Sequence, residues 1–261
     1  MKHLTSRDNP RVKLLRKLVA DVSKQRQERL TIADGPHLIR GCIDHAYPIN
    51  TIVVSEAGLR LPEIELLVEA TAGTECLLVP ESIFRELSGT VNPVGILAVI
   101  PIPPAVVWQE TLSMTSNWVV LDSIQDAGNL GSILRSAAAF GLENIVLGKG
   151  CAAAWSPKVL RAAQGAHFSL SLHEVVDLHE AIRIYQGKSV AMVLDGEILL
   201  PGSLSGGPYA WVFGNEGRGI SPELISLCTE RISIPMAKGT ESLNVAAAAA
   251  ICFFNEYSRM L

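Results

Sequence analysis

The sequence predicts a two-domain α/β protein whose second domain is built on a parallel β-sheet. Three observations predict this fold class. A length of 261 residues slightly favours two modest cores over one. Short apolar runs alternate with helix-like stretches, most regularly in the second half. The closely spaced prolines Pro101, Pro103 and Pro104 mark a boundary between the halves. The composition, with 48% hydrophobic and 18% charged residues, is typical of a packed globular chain.

The first half begins with a basic helix and continues as alternating strands and helices. Apolar residues from Val12 to Val22 recur at helical spacing, with basic residues between them. The patterns that follow predict, in order, a strand at 30–33, a helix at 37–45, a strand at 51–55, a helix at 62–70, a strand at 75–79, a helix at 81–87 and a strand at 94–100. Residues 1–100 are therefore predicted to form one α/β domain.

Residues 101–116 are predicted to be a linker, because proline cannot continue a helix or a central strand. Residues 117–261 form the second predicted domain. Its strand-like runs lie at 118–122, 144–147, 168–172, 189–194, 209–213 and 231–234. Short apolar strands with helical crossovers are typical of a parallel sheet that is covered on both faces. Such sheets bind ligands beyond the carboxyl ends of their strands.

Basic residues are concentrated at the amino-terminal end of the chain. The formal net charge is −4, which by itself disfavours a nucleic-acid partner. Residues 1–40 nevertheless hold ten Lys or Arg against four Asp or Glu. This distribution favours phosphate binding at that end, and a solvated amphipathic helix is the alternative.

Several classes of protein are excluded or disfavoured by simple patterns. The five cysteines are widely spaced and form no CxxC pair, so neither a metal site nor a disulfide is expected. The first ten residues lack the apolar core of a secretory signal. The longest apolar run, at 245–254, is 10 residues and too short to span a bilayer. A cytoplasmic protein without a metal or membrane partner is expected.

The first of three notable segments is residues 129–135 (NLGSILR). It follows the strand that ends at Asp122 and enters a helix that is predicted to stop at Gly141. Asn129 is placed to cap that helix. Arg135 lies about 240° from Asn129 on an ideal helix, so both reach one site only if Asn129 projects from the loop. In this apolar helix Arg135 should pair with a carboxylate or a phosphate, or extend to a surface or to water.

The second segment, residues 213–219 (FGNEGRG), ends the strand at 209–213 with three glycines. Such glycines allow a backbone to approach a ligand closely. The segment matches neither GxxxxGK[ST] nor GxGxxG, which disfavours a nucleoside triphosphatase or an ordinary dinucleotide enzyme. Glu216 is the expected carboxylate partner of Arg135, and a plain turn is the alternative.

The third segment, residues 234–245 (IPMAKGTESLNV), delivers Ser242, Leu243 and Asn244 ahead of a helix. Asn244 could cap that helix or belong to a site. Five consecutive alanines follow Val245 and give the helix little bulk. Another backbone could therefore approach closely, either in the core or across a dimer interface.

Together the three segments resemble the motifs of the SpoU, or TrmH-like, branch of the SPOUT methyltransferases. The resemblance covers nearly the whole chain, including an amino-terminal domain similar to the L30e-type substrate-binding domain of relatives. It implies transfer of a methyl group from S-adenosyl-L-methionine to a ribose 2′-hydroxyl in RNA, with ribosomal RNA favoured over transfer RNA. It also implies a deep trefoil knot in residues 117–261 and a homodimer.

On matched positions, the resemblance implies that the catalytic residues are Asn129, Arg135, Glu216, Ser242 and Asn244. It implies a cofactor site lined by Phe213, Gly214, Asn215, Gly217, Ile234, Met236, Leu243 and Asn244. Because a guanidinium stays protonated, we expect Arg135 to clamp an RNA phosphate and stabilise the forming alkoxide, with Glu216 orienting it.

The basic amino-terminal region then becomes an RNA-docking surface made of Arg11, Lys13, Arg16, Lys17 and Arg40. Three alternatives remain: a transfer-RNA methyltransferase, a non-catalytic RNA-binding protein of the same fold, and an α/β enzyme that uses another nucleotide.

Overall fold

The computed structural model describes residues 1–104, 107–200 and 206–259. The chain folds into two compact units. One comprises Met1–Pro104 and Trp155–Phe168, and the other comprises Ala105–Ala154 and Ser169–Leu261. The predicted second domain, 117–261, placed residues 155–168 with the carboxyl-terminal half, whereas these residues group with the first unit.

The two units contain strands and helices that are numbered here in chain order. The strands are β1 (Lys2–His3), β2 (Leu30–Asp34), β3 (Thr51–Ser55), β4 (Glu75–Val79), β5 (Ile96–Pro101), β6 (Trp118–Asp122), β7 (Asn144–Gly148), β8 (Ser171–Val176), β9 (Lys188–Ile198), β10 (Tyr209–Gly214) and β11 (Glu230–Ser233). The helices are α1 (Pro10–Ala20), α2 (Val22–Glu28), α3 (Pro36–Asp44), α4 (Pro62–Ala70), α5 (Glu81–Leu87), α6 (Trp108–Thr111), α7 (Ala127–Ala139), α8 (Pro157–Ala163), α9 (Leu178–Ile184), α10 (Pro222–Leu227) and α11 (Val245–Tyr257).

The first unit is built on a mixed five-stranded sheet in the order β1-β4-β3-β5-β2. Strand β5 runs antiparallel to both of its neighbours, and β1, β4 and β3 are parallel. Helix α1 buries Val12, Leu15 and Leu18 in the core of this unit. The segment Trp155–Phe168 is tied to the unit because Thr31 donates a 2.7 Å hydrogen bond to the Trp155 carbonyl.

The predicted amino-terminal helix is in fact two helices, which meet at Asp21. The Asp21 carboxylate accepts hydrogen bonds from the backbone N–H groups of Ser23 and Lys24 and so caps α2. A local side-chain acceptor of this kind favours a helix start over continuation of the preceding helix. The predicted linker at 101–116 also contains a short helix, α6, among its described residues.

The second unit is built on a six-stranded sheet in the order β11-β9-β10-β6-β7-β8. Every pair of neighbouring strands is parallel, which confirms the predicted α/β class and parallel sheet. Bulky side chains from both faces of the strands are buried, including Trp118 and Trp211. Because the strands are parallel, their carboxyl ends meet at one edge of the sheet. Gly214 of β10 lies opposite Asp122 of β6 at that edge.

Two strands of the second unit differ from their predicted bounds. The strand predicted at 168–172 begins at Ser171, because Ala166–Ser169 forms a short 3₁₀ helix. Strand β9 is longer than predicted and pairs irregularly with β11. Arg231 lies opposite Ala191, whereas the next residue, Ile232, lies opposite Glu197. Residues 192–196 therefore bulge out of the β9–β11 pairing.

Candidate active site

A cavity of about 780 Å³ opens at the carboxyl edge of the second unit's parallel sheet. Its walls come from the bulge in β9 and from the segments that follow β10 and β11. Every predicted site residue of this unit except Arg135 lines it, namely Asn129, Phe213, Gly214, Asn215, Glu216, Gly217, Ile234, Met236, Ser242, Leu243 and Asn244. A volume of this size is typical of sites for cofactors and drug-sized molecules.

A chain of hydrogen bonds joins one residue from each of the three segments. Asn244 Nδ2 donates to Asn129 Oδ1 over 2.8 Å. Asn129 Nδ2 in turn donates to Glu216 Oε1 over 3.1 Å. We call this chain the Asn244–Asn129–Glu216 relay. It brings together residues that lie 115 and 87 positions apart in the sequence.

The direction in which hydrogen bonds are donated along the relay is set by Asn244. Asn244 Oδ1 accepts hydrogen bonds from the backbone N–H groups of Ala246 and Ala247 and thereby caps α11. The Asn244 amide nitrogen must then face Asn129, which leaves the Asn129 amide nitrogen to face Glu216. Asn244 is thus both the helix cap and a member of the site, the two roles that the sequence left open.

Asn129 does not cap α7, which corrects the interpretation drawn from the sequence. The cap is Asp126, whose carboxylate accepts a 2.8 Å hydrogen bond from the Asn129 backbone N–H. Asn129 lies within the first turn of the helix, and its side chain is free to enter the relay. The Asp126-Ala-Gly sequence was the missed signal, because Asp is a strong helix cap.

The Glu216 carboxylate is held by the loop that follows β6. Its oxygens accept hydrogen bonds from the backbone N–H groups of Asp126 at 3.1 Å and Gln125 at 3.3 Å, besides the bond from Asn129. Partial burial raises the pKa of Glu216, but these hydrogen bonds lower it by more, and the pKa lies below its ordinary value. Glu216 is therefore ionised at neutral pH and serves as a fixed acceptor.

Arg135 does not pair with Glu216, so that predicted ion pair is wrong. Arg135 is exposed on α7 and forms no ion pair or hydrogen bond with any residue that the structure describes. Both Asn129 and Arg135 lie within α7, where six residues correspond to about 240° of rotation. Only Asn129 faces the cavity, and Arg135 points elsewhere.

A tight turn at residues 215–219 positions Glu216 above the sheet. Asn215 and Gly219 exchange two backbone hydrogen bonds of 2.9 and 2.8 Å. The Asn215 side chain accepts from the backbone N–H groups of Gly217 and Arg218 and donates to the Ser123 carbonyl over 2.9 Å. The turn is thus attached to the end of β6.

Gly214 has no space for a side chain, and this leads to a testable prediction. A Cβ atom at Gly214 would lie 2.1 Å from the carbonyl carbon of Gly219. We expect Gly214→Ala to displace the 215–219 turn and to weaken binding of S-adenosyl-L-methionine, the cofactor that the resemblance implies, at least tenfold by calorimetry. Gly217→Ala is the steric comparison within the same turn, because it keeps the backbone groups and its Cβ would meet only the Asn215 side chain at 3.7 Å. Equal affinities of the two variants would contradict this account of the turn.

Sequence reasoning missed the contribution of β9 to the cavity. Met192, Val193, Leu194 and Asp195 line one wall. They reach it because the irregular pairing with β11 lets residues 192–196 bulge from the sheet. The Asp195-Gly196 pair at the end of an apolar run was a possible signal, since Gly196 approaches the backbone of Arg231 too closely for a Cβ.

The predicted RNA-docking residues belong to the first unit, and three of the five are already in ion pairs. Arg11 pairs with Glu75, Arg16 with Glu86, and Lys13 with Asp8 at 2.9 Å. Lys17 and Arg40 are exposed and form no ion pair with any described residue. The excess of positive charge near the amino terminus is therefore partly neutralised by Glu75 and Glu86, which are distant in sequence, and by the nearby Asp8.

Two kinds of feature are absent from the described ranges 1–104, 107–200 and 206–259. No helix within them is long and apolar enough to cross a membrane. No group of three or more His, Cys, Asp or Glu within them is arranged to hold a metal ion.

Comparison with known proteins places this chain in a family. The sequence model of the SpoU rRNA Methylase family matches residues 116–254, and that of the MRM3-like substrate binding domain matches residues 9–98. The chain is 31% identical to the 23S rRNA (guanosine(2553)-2′-O)-methyltransferase RlmP of Bacillus subtilis, with 98% of this chain and 99% of the relative covered.

Two solved structures are similar over nearly the whole chain. An AdoMet-bound rRNA methyltransferase from Sinorhizobium meliloti has a TM-score of 0.85 at 26% identity. The match covers 100% of this chain and 98% of the Sinorhizobium chain. The SpoU methyltransferase AviRb from Streptomyces viridochromogenes, in complex with the cofactor AdoMet, has a TM-score of 0.85 at 25% identity. The match covers 97% of this chain and 98% of the AviRb chain. The chain belongs to the SpoU rRNA methylase family.

Proposed function

We propose that this protein transfers a methyl group from S-adenosyl-L-methionine to a ribose 2′-hydroxyl of ribosomal RNA. The observation that carries the proposal is the Asn244–Asn129–Glu216 relay, which joins the three family segments in the lining of one cavity. The family and the names of the relatives support ribosomal RNA as the substrate class.

The chemistry of the cavity fits the cofactor. Apolar side chains of Phe213, Ile234, Met236 and Leu243 line it and suit a nucleoside and a thioether chain. Carboxylates of Asp195, Glu216 and Glu241 also line it and favour a ligand with ammonium and sulfonium charges. When bound, S-adenosyl-L-methionine supplies the methyl group. Backbone groups of Gly214, Asn215 and Gly217 lie at the same edge of the sheet and can contact it.

The residues of the relay orient the reacting ribose and keep it in place. Displacement at a methyl group requires the attacking oxygen to lie in line with the leaving sulfur, so small errors of position are costly. Asn129 is fixed from both sides by Asn244 and Glu216. The hydrogen bonds that Glu216 accepts lower its pKa and make it a weak base, so its role is to hold Asn129 and the loop at 125–126. Ser242 lines the wall beside Asn244 and can hydrogen-bond the substrate.

A homodimer would complete the site with Arg135 of the second copy. Helix α7, which carries Arg135, packs against α11. Helix α11 buries Phe253 but leaves Ile251 and Phe254 exposed by 42% and 57%, and the Phe140 ring lies 6.0 Å from that of Phe254. A second copy that covers this apolar surface would bring its Arg135 near the cavity, where the guanidinium would clamp an RNA phosphate.

Subunit mixing tests whether Arg135 acts on the other copy. Arg135→Ala and Glu216→Ala are each expected to be inactive alone. After exchange of subunits at equal amounts, about a quarter of all sites would combine an intact Glu216 with an intact Arg135 from the other copy, and activity should recover to that level. A mixture with no more activity than its separate components would contradict the shared site.

The trefoil knot expected in residues 117–261 is part of the same proposal. Membership of the family and the strand order β11-β9-β10-β6 support it.

The ion pairs in the first unit indicate which basic side chains are available to bind RNA. We expect the double variant Lys17→Gln/Arg40→Gln to bind RNA more weakly than the double variant Arg11→Gln/Lys13→Gln. Lys17 and Arg40 have no ion-pair partner among the described residues, whereas Arg11 and Lys13 are already paired with carboxylates. Filter binding at several salt concentrations measures this, and each lost phosphate contact should reduce the salt slope by about 0.7 to 0.9. Cofactor affinity should be unchanged in both variants. Equal weakening would contradict the prediction.

Methyl transfer into defined RNAs tests the proposed function. The purified protein is incubated with tritium-labelled S-adenosyl-L-methionine and either 23S ribosomal RNA or a pool of transfer RNAs, all transcribed in vitro and therefore unmodified. Label is expected in ribosomal RNA. Label in transfer RNA alone would change the substrate, and cofactor binding without transfer to either RNA would favour a non-catalytic RNA-binding protein. Absence of cofactor binding by calorimetry would favour an enzyme that uses another nucleotide.

A further inference from the structure

Arg218 is the only cationic side chain among the described residues that line the cavity. The same walls carry three carboxylates, those of Asp195, Glu216 and Glu241. A phosphodiester that enters beside three carboxylates meets an unfavourable field unless a cation compensates. Within one copy of the chain, Arg218 is the side chain placed to provide that charge, because Arg135 does not line the cavity.

The backbone of Arg218 is held in place by the 215–219 turn. Its N–H donates a 3.1 Å hydrogen bond to Asn215 Oδ1, and Asn215 is itself bonded to the Ser123 carbonyl. Just beyond the turn, Ser221 is anchored by two hydrogen bonds to Asp122, one from its backbone N–H at 2.9 Å and one from its hydroxyl at 2.8 Å. The backbone at Arg218, two residues from Glu216, is thus held in a constrained position.

The guanidinium of Arg218 is available to bind a ligand. It is exposed, and it forms no ion pair or hydrogen bond with any residue in the described part of the chain. Its neighbour Glu216 is already engaged by Asn129 and by two backbone N–H groups, so it does not neutralise Arg218. An arginine that is fixed at its backbone and unpaired at its tip is suited to bind a phosphate through two parallel hydrogen bonds.

We propose that Arg218 binds a backbone phosphate of the RNA strand that is methylated, from within the same subunit as Glu216. The inference rests on the proposed function and extends it, because it assigns an RNA contact to the segment that also holds Glu216. RNA is favoured over the cofactor carboxylate as the partner, since Arg218 is exposed to solvent two residues from Glu216, which belongs to the relay that is proposed to orient the ribose.

Arg218→Gln tests the proposal, with Arg183→Gln as the matched control. Arg183 is an exposed arginine on α9 that does not line the cavity. Arg218→Gln is expected to raise the KM for an unmodified 23S ribosomal RNA transcript about tenfold, the change expected from losing one charge-assisted contact. Its affinity for S-adenosyl-L-methionine by calorimetry should stay within about twofold of the unaltered protein, and Arg218→Lys should restore part of the loss because it keeps the charge.

Equilibrium RNA binding keeps this test separate from the proposed function. Filter binding of the same transcript is expected to be weaker for Arg218→Gln, with a salt slope reduced by about 0.7 to 0.9. If the unaltered protein transfers no methyl group, the proposed function fails, and the binding comparison still decides the role of Arg218. Binding equal to that of Arg183→Gln would overturn the inference. Loss of cofactor affinity with unchanged RNA binding would also overturn it and assign Arg218 to the cofactor carboxylate.

Discussion

Glu216→Gln should lower the rate of methyl transfer about a hundredfold while leaving the fold intact, the size of effect expected when reacting groups lose their alignment. Glu216 accepts hydrogen bonds at both oxygens, from Asp126 and Asn129 at Oε1 and from Gln125 at Oε2. Glutamine offers one acceptor oxygen and a donor NH₂ group. The NH₂ group must face a donor whichever way the amide is turned, so either the loop or Asn129 loses its partner.

Single-turnover kinetics at saturating cofactor and RNA measures this effect most directly. Glu223→Gln on α10 is the matched control, because Glu223 is exposed and does not line the cavity. Thermal unfolding should show that Glu216→Gln remains folded. A rate for Glu216→Gln within about threefold of the unaltered protein would mean that the carboxylate does not organise the reacting groups.

Substitution of Asn244 should separate its role in stability from its role in the relay. Asn244→Ala removes the cap of α11 and the donor to Asn129 together. Loss of such a cap costs about 1 kcal/mol of unfolding free energy. Serine is also a good helix cap, so Asn244→Ser should restore most of that stability. Its hydroxyl is too short to replace the amide that reaches Asn129, and activity should remain low in both variants.

The comparison of Asn244→Ala with Asn244→Ser needs two measurements on each protein. Denaturant unfolding gives the free energy of unfolding, and the single-turnover rate gives the effect on the reaction. We expect the serine variant to be close to the unaltered protein in stability and about a hundredfold slower in the reaction, because Asn129 loses its alignment. Recovery of both quantities with serine would show that Asn244 acts only as a cap.

The strands and most of the helices could be predicted from the sequence because their signals are local. The strands at 51–55 and 75–79 and the helices at 62–70 and 81–87 are found at their predicted positions. Two errors in the helices arose where a single side chain decides between two local structures. Asp21 divides the amino-terminal helix, and Asp126 starts α7 ahead of Asn129.

The candidate site was predictable as a set of loops, but its internal pairing was not. Parallel strands place their carboxyl ends together, which brings the loops after β6, β10 and β11 to one edge. Which side chains then bond depends on contacts between residues far apart in sequence. Glu216 pairs with Asn129 instead of Arg135, and Arg11 is engaged by Glu75. Periodicity and composition carry no information on such partners.

The position of the methyl group on the product tests the central claim most directly. Ribosomal RNA treated with the protein and labelled cofactor is digested to nucleosides and analysed by mass spectrometry. We predict one 2′-O-methylated nucleoside, with the added mass on the ribose, formed by the unaltered protein and reduced about a hundredfold with Glu216→Gln. A methyl group on a base, or undiminished ribose methylation by Glu216→Gln, would contradict a ribose methyltransferase organised by the Asn244–Asn129–Glu216 relay.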